Sequence, residues 1–220
     1  MIIDLCYPIQ EHWRYGKFKR EELSSFARGD QWQITGFTMG SHWFSHMDFP
    51  RHTGAEYPDS EAFPLDAYNG KASIINLTRP DGCKNYGFTK EDMERATAGR
   101  NLESIWLLRS DWGLQSDWNT RNFWNDAPSM TTEALEWIAE RRPSCVVFDF
   151  PQDYAIRELQ FRKVGPDEQP SHTILLRRNI LMVEYVTNFD KIGKDSCDFY
   201  CLPLKLPHID GCPVRAIAVV

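Results

Sequence analysis

The feature that most limits how this 220-residue chain can fold is a series of short apolar runs bounded by polar or turn-forming residues. Ile105–Leu108 and Cys145–Phe148 contain no polar residue, which is typical of strands buried on both faces. Between them, Met130–Arg142 repeats apolar residues at helical spacing and ends before Pro143, so an amphipathic helix is predicted there. Strands that alternate with helices in this way predict an α/β fold whose sheet is covered by helices.

Weaker signals extend the same interpretation along the chain. Residues 7–30 are polar and irregular, and we expect no regular structure there. Thr89, followed by acidic residues, predicts the start of a second helix. Further strands are predicted at residues 2–6, 31–39, 71–77, 179–186, 199–207 and 214–220. No repeat or linker divides the sequence, so a single domain over residues 1–220 is expected.

Composition excludes several classes of function. A formal net charge of -6 argues against nucleic-acid binding, which needs a basic face. No apolar run approaches the roughly 20 residues of a membrane-spanning helix. The start, MIIDLCYPIQ, lacks the pattern of a signal peptide, so a cytoplasmic protein is expected. The six cysteines form no CxxC pair and are interpreted as free, mostly buried thiols.

The segment SHWFSHMDFPRHT carries most of the potential chemistry. His42, His46, Asp48 and His52 fall within eleven residues, although the whole chain has only six histidines. The spacing of the first pair fits two rings on one helical face, or two rings pointing inward from a tight turn. Imidazole and carboxylate together suit Zn, Mn or Fe, which activate water. Pro50 prevents a regular helix from reaching His52, so that side chain is expected from another direction, as a ligand or as a base.

This segment also carries a family resemblance. HWFSHMDFPRH resembles the HxGTHxDxPxH signature of the cyclase family of metal-dependent hydrolases, which includes bacterial kynurenine formamidase and isatin hydrolase. Phe44 stands where the signature has Gly, and Ser45 where it has Thr. Residues 106–113, 146–156, 172–184 and 202–220 are similar to later family segments, with Gln152 replacing a small Ser. The resemblance implies a swivelling β/β/α-like fold with a mixed sheet covered by helices.

The resemblance also implies roles for individual residues. His42, His46 and Asp48 would hold a first metal. Asp48 and Glu184 would bridge to a second metal that His172 also binds, whereas relatives with one metal use the late residues differently. The cofactor expected is therefore Zn or Mn, one or two per chain. His52 would donate and accept protons.

Glu184 and the aromatic residues near the signature add to this interpretation. Glu184 lies in the apolar segment ILMVEYV, where a carboxylate is costly to bury unless it is paired or metal-bound, although an edge position facing water is the alternative. Trp13, Trp43 and Phe44 are predicted to contact substrate. Phe44 in place of Gly is expected to change the pocket.

The favoured hypothesis is a metal-dependent hydrolase that cleaves a small amide, cyclic amide or lactone by means of a metal-activated water. One alternative is a cyclase or dehydratase that uses the same site. Another is a non-catalytic protein with a structural metal or a bound ligand, which would not need His52. The expected partners are a small-molecule substrate and further copies of the chain, as a homodimer or higher homo-oligomer, with neither nucleic acid nor membrane.

Overall fold

The computed structural model describes residues 1–16 and 18–220, and this part of the chain contains twelve β-strands and five α-helices. The strands are β1 (Ile2–Asp4), β2 (Lys19–Ser24), β3 (Ile34–Thr38), β4 (His46–Asp48), β5 (Gly70–Asn76), β6 (Gly87–Phe88), β7 (Ile105–Arg109), β8 (Ser129–Met130), β9 (Cys145–Phe148), β10 (Leu181–Glu184), β11 (Ser196–Pro203) and β12 (Gly211–Val219). The helices are α1 (Lys90–Thr97), α2 (Trp112–Gln115), α3 (Arg121–Asn125), α4 (Thr132–Arg141) and α5 (Pro170–Ile174). Short 3₁₀ turns connect many of these elements.

Eight strands form one mixed sheet in the order β1-β12-β11-β5-β7-β9-β10-β4. Strands β5, β7, β9 and β10 run parallel, and the remaining pairs are antiparallel. β4 also pairs with β12, so the sheet closes on itself and leaves β1 outside the closed ring. The α/β fold with a mixed sheet is confirmed, whereas its closure was not anticipated from the sequence.

The apolar runs build two cores, one on each face of the sheet. In β7, Ile105 and Leu107 belong to one cluster, and Trp106 and Leu108 belong to the other. Side chains alternate across a strand, so a run without polar residues supplies both cores at once. The second cluster also contains the buried residues of α4, which confirms that helices cover this face.

Helix α1 begins directly after Thr89, the capping residue predicted for it. The Thr89 hydroxyl accepts a hydrogen bond from the Asp92 backbone N–H, and the Asp92 carboxylate accepts one from the Thr89 backbone N–H. These two bonds form a capping box for α1. α4 begins after Thr131 and ends at Arg141, with Arg142 as its C-cap directly before Pro143. No helix in the described part of the chain is long and apolar enough to cross a bilayer.

One expectation was wrong: residues 7–30 are not irregular throughout. β2 occupies Lys19–Ser24 and pairs with β3 in a separate two-stranded hairpin, hereafter the arm. Every residue of β2 before Ser24 is exposed, so neither face carries the apolar alternation that identifies a half-buried strand.

Candidate metal centre

The sheet register brings the polar residues of three strands together. His46 and Asp48 are two residues apart in β4, so both side chains project from the same face. Glu184 in β10 lies directly opposite His46, and Gly211 in β12 lies opposite Asp48. His42 lies in the turn that precedes β4, and His46 lies in β4 itself, so the two rings do not share a helical face.

The resulting cluster consists of two groups that share Asp48. In one group, His42 Nδ1 lies 2.6 Å and His46 Nε2 lies 3.1 Å from Asp48 Oδ1. In the other, His172 Nε2 lies 3.7 Å from Asp48 Oδ2 and 3.4 Å from Glu184 Oε1. The potential ligand atoms within each group lie within 4.8 Å of one another. The structure therefore brings together all five residues predicted as metal ligands.

Each of the three histidines faces this centre with one ring nitrogen, and an acceptor holds the other. His42 Nε2 lies 2.7 Å from Asp210 Oδ2, and His172 Nδ1 lies 2.8 Å from Asp153 Oδ2. His46 Nδ1 lies 2.8 Å from a backbone oxygen, that of residue 44. An acceptor on the outer nitrogen fixes the tautomer and leaves the inner nitrogen available to a metal.

Two of these acceptors, Asp153 and Asp210, were not identified from the sequence. Asp153 directly follows Gln152 in residues 146–156, which are similar to a family segment, but that resemblance did not indicate Asp153 itself. Asp210 lies 168 residues from His42 and has no local pattern that connects it to the centre.

Glu184 is 3% exposed and lies on an inner strand, which excludes the alternative of an edge position facing water. Gln152 is fully buried and donates from Nε2 to Glu184 Oε1 and to Ser171 Oγ. The longer Gln side chain, in place of the family's Ser, thus fixes the orientation of the Glu184 carboxylate.

Without a metal, protons balance the charges in this cluster. Burial alone would lower the pKa of His42, but the nearby Asp48 and Asp210 carboxylates outweigh it and raise that pKa to about 10. Burial also lowers the pKa of His172, but Asp153 and Glu184 outweigh it and raise that pKa to about 9. Burial also raises the pKa of the Glu184 carboxyl, and the charge of Asp48 adds to this effect.

The donor set fits a divalent cation. Asp48 Oδ2 is buried and lacks a hydrogen-bond partner among residues 1–16 and 18–220, an expensive arrangement for a carboxylate oxygen. Imidazole nitrogens and carboxylate oxygens are the ligands that Zn and Mn take in proteins. A cation here would satisfy Asp48 Oδ2 and replace the protons held by the histidines.

His52 lies outside the two groups that share Asp48, but with His42 and Asp210 it forms another set of potential ligands. Its ring stacks on that of His42, with centroids 3.7 Å apart, and its Nδ1 lies 3.7 Å from Asp210 Oδ2. Burial lowers the pKa of His52 to about 4; Asp48 opposes this shift, and the neighbouring histidines add to it. The imidazole is therefore neutral at pH 7 and able to accept a proton.

A pocket of about 480 Å³ opens onto the centre. Trp43 lines it, as do Arg14, Tyr15, Gln160 and Tyr185. Trp13 and Phe44 are not among the residues that line it. Trp13 Nε1 donates to the backbone oxygen of residue 119, and substrate contact by Trp13 and Phe44 stays a prediction.

Phe44 has a backbone conformation that explains the glycine of the family signature. Its φ is 59°, in the left-handed region where a side chain is strained and Gly is not. The ring is 1% exposed and packs against Tyr15, with centroids 4.8 Å apart. The Phe44 ring therefore does not line the pocket itself; it packs against Tyr15, which does.

Comparison with known proteins identifies the family of this chain. Residues 3–152 match the family model described as "Putative cyclase". The chain belongs to the cyclase family. Kynurenine formamidase of Polaromonas naphthalenivorans is 26% identical over 200 residues, which cover 91% of this chain and 80% of that protein. Isatin hydrolase of Roseibium aggregatum is 24% identical over 200 residues, which cover 83% of this chain and 73% of that protein.

Solved structures of cyclase-family members show the same fold. An isatin hydrolase bound to the product analogue thioisatinate superposes with a TM-score of 0.81 at 18% identity, and the match covers 100% of this chain and 92% of that one. A structure described as a potential metal-dependent hydrolase with cyclase activity gives a TM-score of 0.74 at 19% identity and covers 99% and 96%.

Proposed function

We propose that this cyclase-family protein is a metal-dependent hydrolase that cleaves a small amide, cyclic amide or lactone, with His52 as general acid and base. The observation that carries the proposal is the pair of donor groups that share Asp48, with a neutral imidazole stacked beside them. A purely structural metal would not need that imidazole. The relatives named isatin hydrolase and kynurenine formamidase support a hydrolytic reaction.

In this proposal, His42, His46 and Asp48 hold a first Zn or Mn ion. Asp48, His172 and Glu184 hold a second one where two are bound. A cation bound here would lower the pKa of a water molecule and would stabilise negative charge on the carbonyl oxygen of the substrate.

His52 moves the protons. Its lowered pKa leaves it neutral at pH 7, so it can take a proton from the attacking water. Asp210 Oδ2, 3.7 Å from Nδ1, favours the imidazolium once it forms and leaves Nε2 for proton transfer. The same imidazolium then donates its proton to the leaving nitrogen or oxygen.

The test combines metal content, measured by plasma mass spectrometry, with hydrolysis of formanilide, a γ-lactone and a cyclic amide. We expect His46→Ala to lose both metal and activity. His52→Gln should keep the metal and lose roughly 10²- to 10⁴-fold in kcat. Asp198→Asn, which changes an exposed carboxylate that pairs with Lys71, is the control and should retain both.

Two outcomes would overturn the proposal. A folded wild type that binds neither Zn nor Mn excludes the metal site. A metal-loaded protein that hydrolyses none of the three compounds, but closes a ring or dehydrates a hydroxy acid, supports the cyclase or dehydratase alternative.

We also propose a cytoplasmic homo-oligomer. All six cysteines are free, which suits a reducing compartment.

The arm carries the surface proposed for assembly. It exposes large apolar side chains, with Trp32 70% and Phe37 62% exposed, and neither of its strands pairs with the main sheet. Exposed apolar clusters of this kind mark association surfaces, and the occupant proposed is a second copy of the chain.

Sedimentation velocity tests the assembly. The wild type should sediment as a dimer or larger species, and a Trp32→Ser/Phe37→Ser variant should shift toward the monomer. A monomeric wild type at micromolar concentration would exclude the proposed oligomer.

A further inference from the structure

Arg14 places a cation in the wall of the candidate metal pocket. Its guanidinium carbon lies 4.0 Å from the centroid of the Trp124 ring, and Nη2 donates to the Ile156 backbone oxygen at 3.3 Å. These two contacts hold the guanidinium in place. They do not use Nη1, which is buried and has no hydrogen-bond partner among the described residues.

No carboxylate in the described part of the chain forms an ion pair with Arg14. Other arginines near the surface do form such pairs: Arg109 with Asp111 at 2.7 Å, and Arg215 with Asp4 at 2.7 Å. A half-buried guanidinium with an unused N–H is costly unless something else compensates for its lost hydration. A ligand carboxylate in the pocket would provide that compensation.

Two further unused donors belong to the same pocket. The Tyr15 hydroxyl and Gln160 Nε2 are buried, and neither has a partner in the described residues. Tyr15 follows Arg14 in sequence, and Gln160 follows the turn whose Ile156 carbonyl accepts from Arg14. Three donors without partners thus belong to two segments that line the same pocket, residues 14–15 and 156–160. A ligand group with several acceptor oxygens could satisfy them.

The carboxylates of the centre leave Arg14 without a partner. Asp48, Asp153, Glu184 and Asp210 each lie beside a histidine of the centre, and a bound cation would add positive charge there. An anion in the pocket would give the Arg14 guanidinium the opposite charge that it lacks, and attraction between charges is stronger at a partly buried site than in bulk water.

We propose that Arg14, together with Tyr15 and Gln160, binds a carboxylate of the substrate, so that the preferred substrates are amides or lactones that carry a carboxylate away from the bond that is cleaved. The inference rests on the proposed hydrolase function for its substrate class. The anion subsite itself is tested separately from catalysis.

The first experiment measures binding of two inert probes, benzoate and benzamide, by titration calorimetry with metal-loaded protein. Benzoate should bind the wild type more tightly than benzamide. Arg14→Met should weaken benzoate binding roughly 10- to 100-fold and leave benzamide within about twofold, because a charge-assisted hydrogen bond is lost. Arg14→Lys should fall between them, because it keeps the charge and loses the planar fork.

A metal-free titration separates Arg14 from the metal as the binding partner. If the subsite exists, the ratio of benzoate affinities between wild type and Arg14→Met persists after the metal is removed. If benzoate binding vanishes with the metal and is insensitive to Arg14→Met, the anion binds the metal and the proposal is overturned.

Arg141→Met is the matched control variant. Arg141 stacks on Trp137 at 3.5 Å and donates to the Trp137 backbone oxygen at 3.0 Å, so it makes the same two kinds of contact outside the metal pocket. The Arg141 variant should bind benzoate like the wild type. A loss of benzoate binding in both variants would assign the effect to general destabilisation and would overturn the proposal.

Kinetics then connect the subsite to catalysis. For 4-formamidobenzoate, Arg14→Met should raise KM with little change in kcat, and the preference in kcat/KM for 4-formamidobenzoate over formanilide should fall roughly 10- to 100-fold. Equal wild-type kinetics for both compounds would overturn the proposal and leave the hydrolase function intact. Hydrolysis of neither compound would contradict the hydrolase function, and the benzoate titration would still decide on the subsite.

Discussion

Gly211 lies so close to His42 that any side chain would displace the ring: a Cβ on Gly211 would lie 2.3 Å from His42 Cε1. The register explains the contact, since Gly211 pairs with Asp48 beside the turn that carries His42. Glycine is required here for space, and this residue belongs to the metal centre although it bears no ligand.

Gly211→Ala should therefore weaken metal binding at least about tenfold, as loss of ligand orientation does in metal sites. The measurement is competition with a fluorescent chelator. Gly165→Ala is the control, because the nearest atom to a Cβ there lies 4.0 Å away. An unchanged metal affinity in the Gly211 variant would mean that His42 is not a ligand.

Metal uptake by the metal-free protein should release protons. The pKa of His42 is raised to about 10 by the nearby carboxylates against the effect of burial, and that of His172 to about 9. Both imidazoles are therefore protonated at pH 7 and must lose those protons to bind a metal. Metal affinity should rise with pH up to about pH 9 to 10. Calorimetry in two buffers with different ionisation enthalpies measures the release, and buffer-independent heats would contradict it.

Asp153→Asn should weaken metal binding by the group of Asp48, His172 and Glu184 without removing any of these candidate ligands. Asp153 Oδ2 lies 2.8 Å from His172 Nδ1, and its Oδ1 accepts from the Ser171 backbone N–H at 2.9 Å. Because Asn lacks the charge that holds the imidazole, metal affinity should fall about 10- to 100-fold. Asp198→Asn, an exposed partner of Lys71, serves as the control. If both variants bind metal equally well, His172 does not contribute to the metal site.

Phe44 offers a stability test of backbone strain. Phe44→Ala removes a buried ring and keeps the positive φ, so it should cost about 3 to 5 kcal/mol in the free energy of unfolding. Phe44→Gly loses the same ring but relieves the strain, and it should be about 1 kcal/mol more stable than the Ala variant. Urea denaturation measures both variants. A Gly variant less stable than the Ala variant would exclude a strained Phe44.

The sequence predicted the parts of this protein that repeat a local pattern. The capping residue Thr89 and the doubly apolar strands are local, and each lies where it was expected. The strand that carries His46 and Asp48 was not predicted, because their spacing was interpreted as a helix or a turn. The arm was missed because exposed residues cover both faces of β2, so no periodicity distinguishes it from a loop.

Residues that act through long-range contacts carried no comparable signal. Asp210 and Gly211 meet His42 only because β12 pairs with β4, and nothing local to the HIDG segment indicates that pairing. Arg14 is similar: its place in the pocket depends on Trp124 and Ile156, which are distant in the chain. A single sequence does not specify these pairings, so the candidate ligands were predicted and the residues that hold them in place were not.

The pairing of β12 with β4 also sets an order of events during synthesis. The histidines of β4 and its preceding turn leave the ribosome long before Asp210, which follows His42 by 168 residues. At the usual rate of translation this delay lasts about ten to thirty seconds. Throughout that interval the nascent chain exposes a histidine cluster that has no sheet to hold it. The complete centre, with His42 held by Asp210, therefore forms only after β12 has been synthesised and has paired with β4.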